Sequence, residues 1–159
     1  MKKIIFTLLT ITAIGVANAQ ETKYGIKGGI DLVSAKSTAS SLNATGFYVG
    51  GFAELGLSDV IYIQPSLNYH TASKDGVKFD YMSVPVLVKF MMPDKFNILA
   101  GPALYYSMDS EDTNKTRINL AVGGDFEISD NLLLESRYDY GLTGDVKVNH
   151  LLFGIGYKF

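Results

Sequence analysis

From Tyr24 onward, apolar residues fall at every second position, in runs broken by clusters of Gly, Ser, Asp, Asn and Pro. A period of two marks an extended strand with two unlike faces, because successive side chains of a strand point to opposite sides. Eight such runs can be counted. In the first, Tyr24, Ile26, Ile30 and Leu32 share one face, while Gly25, Lys27, Gly29 and Asp31 share the other. The sixth sets Ile118, Leu120, Val122, Phe126 and Ile128 against Arg117, Asn119, Gly123, Asp125 and Glu127. In the seventh, Leu132, Leu134, Tyr138 and Tyr140 oppose Glu135, Arg137, Asp139 and Gly141; in the eighth, Leu151, Phe153, Ile155, Tyr157 and Phe159 oppose His150, Gly154, Gly156 and Lys158. Three residues break the pattern. Phe52 falls among the polar positions of the second run, and Leu87 and Leu99 blur the fourth and fifth.

The connections alternate in length. Short turns occur at 57–59, 92–95 and 129–131, and longer polar segments near 34–45, 71–80, 107–116 and 143–147. All short turns therefore lie on one rim and all long connections on the other, as in an up-and-down barrel. No linker, charge block or low-complexity run divides residues 20–159, which are expected to form one domain.

Alternation alone does not say which face is inside. A soluble barrel turns its apolar face inward around a ligand, whereas a membrane barrel turns it outward to lipid. Two features favour the membrane. Gly25, Gly29, Gly50, Gly101, Gly123, Gly141, Gly154 and Gly156 sit on the charged face, where they relieve crowding in a narrow lumen but would only weaken a solvated exterior. Tyr69, Tyr106, Tyr138, Tyr140 and Tyr157 lie on the apolar face towards strand ends, the place of an aromatic girdle. The expected fold is an all-β, eight-stranded antiparallel up-and-down transmembrane β-barrel.

The start of the chain agrees. Lys2 and Lys3 precede an apolar stretch from Ile4 to Val16, and Ala17-Asn18-Ala19 offers small residues for cleavage before Gln20, so residues 1–19 read as a secretory signal peptide. Composition narrows the chemistry further. Of 159 residues, 47% are hydrophobic and 12% aromatic, which excludes a disordered chain. A net charge of −2 lacks the basic excess that nucleic acid requires. With no Cys, disulfides, thiolate nucleophiles and thiolate metal sites are absent, and no motif calls for a cofactor.

The segments Tyr24-Gly25-Ile26-Lys27-Gly28-Gly29, Gln64-Pro65-Ser66-Leu67, Val84-Pro85-Val86-Leu87-Val88-Lys89-Phe90, Leu99-Ala100-Gly101-Pro102, Arg137-Tyr138-Asp139-Tyr140-Gly141-Leu142 and Gly156-Tyr157-Lys158-Phe159, in that order, resemble the outer-membrane β-barrel domain family, often labelled porin-like or PorT-like and found mainly in the Bacteroidota. The resemblance spans the mature chain and implies fold and location. Some relatives are associated with protein secretion.

On the charged face stand Lys27, Asp31, Glu54, Lys89, Arg117, Asp125, Glu127, Glu135, Arg137, Asp139 and Lys158. Charges of both signs in a low-dielectric lumen must pair, so they read as a structural plug, with Glu127 or Glu135 the expected partner of Lys158. A proton or ion relay is the functional alternative and needs a continuous water path. His70 and His150 fall on the polar face near the outer rim and read as non-catalytic, since no nucleophile elbow or metal-ligand spacing accompanies them. Asp109, Glu111, Asp112 and Asn114 read as a solvated acidic loop rather than a cation site, lacking ordered spacing and a central Gly. Tyr157 and Phe159, on the apolar face of the last strand, resemble the signal read by the barrel-assembly machinery.

These readings give a monomeric outer-membrane protein in contact with lipid and lipopolysaccharide. Its expected role is structural or surface interaction without catalysis. A narrow channel, an accessory part of a secretion apparatus and a secreted soluble ligand-binding barrel are the alternatives.

Overall fold

The computed structural model describes residues 22–36, 41–74, 77–108, 115–144 and 146–159. The leader at 1–19 and the acidic run Asp109, Glu111, Asp112 and Asn114 lie outside them. Eight strands follow one another: β1 (Thr22–Lys36), β2 (Ser41–Gly56), β3 (Ile61–Lys74), β4 (Val77–Met91), β5 (Phe96–Ser107), β6 (Thr116–Glu127), β7 (Leu132–Gly141) and β8 (Lys147–Lys158). Each pairs antiparallel with its neighbour in sequence, and β8 returns to β1 in register from Gly25↔Lys158 to Lys36↔Lys147. The barrel is closed, so no sheet edge is left along its waist.

Burial is inverted relative to a water-soluble barrel. Phe47, Val49 and Ile155 are 65%, 61% and 56% exposed on the outside, while Asp31, Asn68, His70 and Asp139 are completely enclosed. That ordering suits a chain surrounded by hydrocarbon. Tyr24 and Tyr157 at one end, and Tyr69, Tyr106, Tyr138 and Tyr140 towards the other, form the outward aromatic belts.

The three short turns form where the sequence supplies the right donors and acceptors. Ser58 Oγ accepts from Ile61 N at 3.2 Å, and Ser129 Oγ accepts from Leu132 N at 3.1 Å, so two Ser-Asp turns are closed by the same side-chain device. Between β4 and β5, Pro93–Lys95 makes a single 3₁₀ turn.

Two expectations need correction. The polar segments near 34–45 and 71–80 are largely strand: β1 continues to Lys36, β2 begins at Ser41, and β3 and β4 run to Lys74 and from Val77. Above the lipid belt both faces of a hairpin can be polar, so apolar alternation fades while backbone pairing continues. The blurred residues also resolve. Phe52, Leu87 and Leu99 are inward and buried, and Leu87 and Leu99 pack with Ala103, Tyr105 and Ala121 as a small apolar core inside the lumen.

Candidate functional site

The lumen is the place where polar chemistry collects, because period-two alternation sends every second residue of eight strands into one narrow space. Towards the short-turn rim, Lys89 of β4 reaches Glu54 Oε1 of β2 at 2.7 Å and Asp125 Oδ2 and Glu127 Oε1 of β6 at 3.2 Å each. Lys158 of β8 reaches the same Glu127 oxygen at 2.8 Å and Glu54 Oε2 at 3.9 Å. Gln64 and Asn97 donate to Glu54 and Asp125 at 3.2 and 2.6 Å. β3 and β5 thus bring neutral donors where their neighbours bring charges.

A second cluster joins β1 to β7 over the intervening β8. Lys27 Nζ lies 2.8 Å from Glu135 Oε2 and 5.6 Å from the centre of the Phe52 ring. Arg137 bridges Glu135 Oε1 at 3.3 Å through Nη1 and Asp139 Oδ1 at 2.8 Å through Nε, and Tyr105 donates its hydroxyl to the other Asp139 oxygen. Glu135 is therefore taken by Lys27 and Arg137, and the partner of Lys158 is Glu127. Arg117 stands apart, half-buried higher on β6 with interactions of its own. We expect Lys158→Met and Glu127→Gln to be non-additive in a double-mutant cycle of unfolding in detergent, with a coupling of about 0.5–3 kcal/mol; strict additivity would contradict a dry, paired lumen.

The third cluster corrects the placement of the histidines. Both are deep inside rather than at the rim, with His70 at 0% and His150 at 3% exposure. His70 Nδ1 lies 2.9 Å from Asp31 Oδ2 and its Nε2 lies 2.9 Å from Ser83 Oγ. His150 Nδ1 lies 3.3 Å from the same carboxylate, which also accepts the Tyr81 hydroxyl. Rings pack around them: Tyr48 and Tyr81 stack on His70 at 5.5 and 4.7 Å, and Tyr105 on His150 at 4.3 Å. The hydrogen-bonded parts come from β1, β3, β4 and β8, and the rings of Tyr48 and Tyr105 from β2 and β5. No single run revealed the assembly, although the parity of Asp31, His70, Ser83 and His150 placed each on the inner face.

Asp31, His70 and Ser83 have the connectivity of a hydrolytic triad, but not its access. All three are 0% exposed, and Ser83 Oγ is also held by Asn68 Nδ2 at 3.1 Å. A nucleophile needs room for a carbonyl within about 3 Å and donors for the oxyanion; here the hydroxyl is enclosed by the lumen's own side chains. Among the described residues, no group of three or more His, Asp and Glu is placed to hold a metal ion.

An outward apolar belt, a closed ring of eight strands and a charged interior together specify a membrane barrel, and the model of the outer membrane protein beta-barrel domain matches residues 4–159. The chain belongs to that family. Among solved structures it is similar to Ail, the attachment invasion locus protein of Yersinia pestis, with a TM-score of 0.66 and 22% identity over 88% of this chain and 100% of that one. It is similar also to neisserial surface protein A, with a TM-score of 0.60 and 14% identity over 88% of this chain and 100% of that one. These likenesses concern the fold. No curated protein sequence matches.

Proposed function

We propose that the chain is a bacterial outer-membrane barrel with a non-conducting lumen, anchored by its waist in lipid and acting as a structural or surface-interaction protein through the hairpin ends at the rim opposite the turns at 57–59, 92–95 and 129–131. In this reading residues 1–19 are a cleaved export signal. The mature chain is a monomer in contact with lipopolysaccharide, and the assembly machinery engages Tyr157 and Phe159. The observation that carries the proposal is the filled interior: Lys27, Lys89, Glu135, Arg137 and Asp139 are each at most 3% exposed and span the barrel between β1, β4 and β7. Eight strands leave an interior just wide enough for side chains. Ions would have to break the network to pass.

Planar-bilayer recording of the refolded mature protein tests this. The expected result is a silent membrane at all voltages short of bilayer breakdown. Reproducible single-channel steps would establish the narrow-channel alternative instead.

A further inference from the structure

Above the layer of Asp31 and His70 the lumen is no longer filled. A cavity of about 300 Å³ opens at the long-connection rim. One side of its wall is built from the inward positions of β1, β2, β3 and β8, which carry Val33, Ala44, Ala72 and Val148, and the other from Phe79, Tyr81, Tyr105, Ser107 and Asn119 of β4, β5 and β6. One or two inward steps deeper, the same four strands carry Asp31, Tyr48, His70 and His150, so the change from large polar or aromatic side chains to small aliphatic ones occurs at one level on four neighbouring strands. A barrel that needed only a plug would continue large side chains to the rim. This one is hollowed there.

The floor has a definite chemistry. Tyr105 and His150 are stacked with ring centres 4.3 Å apart and planes 5° from parallel. His150 turns its Nδ1 edge to Asp31, which leaves Nε2 at the opposite edge of a ring that lines the cavity. Lys115, just before β6, and Arg117, near its start, stand on the opposite wall. The volume is at the small end of ordinary ligand sites, roughly the space of ten waters.

We propose that this vestibule binds a small hydroxyaromatic molecule, with its ring against the Val33, Ala44, Ala72 and Val148 wall and its hydroxyl on His150 Nε2. The aliphatic wall rewards an apolar body. A hydroxyl both donates and accepts, so it meets the imidazole edge in either tautomer. An aliphatic chain would leave the polar edge of His150 unmatched.

The test is a titration of the full mature chain in lipid nanodiscs, ¹⁵N-labelled at its two histidines, with 2-naphthol, naphthalene and 2-naphthoate as probes. Saturable movement of the His150 ring resonance by 2-naphthol at one equivalent, with naphthalene binding at least tenfold more weakly, is expected. Ala72→Phe, or Ala44→Phe should the first fail to fold, fills the cavity and should abolish saturation while the folded barrel still migrates as a compact band on unheated gels. Four outcomes would overturn the proposal. Equal binding of naphthalene would remove the hydroxyl anchor, and tighter binding of 2-naphthoate would assign the site to anions. Linear shifts without saturation, or shifts unchanged in a folded filled-cavity variant, would mean partition into lipid.

Discussion

Replacing Lys89 by Met will lower the unfolding free energy in detergent by about 3–5 kcal/mol, the range for removing one partner of a buried ion cluster. Lys89 is 1% exposed and is the one ammonium within 4 Å of Asp125 among the described residues. It also neutralises Glu54 at 2.7 Å, whose next cation, Lys158, is 3.9 Å away. Met fills the space of the lysine stem but leaves two buried carboxylates without their main counter-charge. Adding Glu54→Gln to Lys89→Met should return part of the loss, since one orphaned charge disappears with little change of shape. Urea titration followed by tyrosine fluorescence and by gel mobility measures both variants. A loss below about 1 kcal/mol, typical of exposed pairs, would show a lumen wet enough to screen its charges.

Gly29→Val will prevent the barrel from closing. Gly29 pairs with Gly154 across the β1–β8 seam, and a Cβ there would run into Phe153 O and Gly154 Cα. These are backbone atoms of the closing strand, which cannot swing aside as a side-chain tip can. The damage should therefore exceed the 1–3 kcal/mol common for overpacking, with loss of the compact unheated band. Gly51→Ala is the control: it faces outward, and its added carbon would find only Gly25 O, at 3.7 Å, in ordinary contact. Its effect is expected to stay within about 0.5 kcal/mol. Equal behaviour of the two variants would mean that glycine matters here for strand flexibility, not for room at the seam.

The contrast between these positions shows what alternation carries and what it does not. Period two placed Lys27, Lys89, Glu135 and Lys158 on one face because face is a local property of a strand. Depth and partnership are not local. Whether Lys158 meets Glu127 or Glu135 depends on the stagger of β6, β7 and β8, which no run of residues encodes by itself. The same reason sets His70 and His150 inside rather than at the rim: strands that continue through polar sequence to Lys36 and Lys74 enclose both rings. Leu87 and Leu99 blur the alternation because a charged lumen still has room for an apolar pocket, where the two leucines, one inward step out of register on β4 and β5, pack with Ala103, Tyr105 and Ala121.

The topology also orders the assembly of the wall. Seven of its eight seams join strands adjacent in sequence, and five of those join strands separated by four residues or fewer. The eighth, between β1 and β8, brings together Gly29 and Gly154, with residues 30–153 as the intervening loop. Loop-closure entropy grows by about 0.6 kcal/mol for each doubling of length, so this contact carries an entropic penalty roughly 3 kcal/mol above that of a hairpin turn. Non-local pairing of this kind is the slow part of folding a β-protein. The seam that is hardest to find is also lined with glycine on both strands, which leaves the two edges free to meet without side chains in the way.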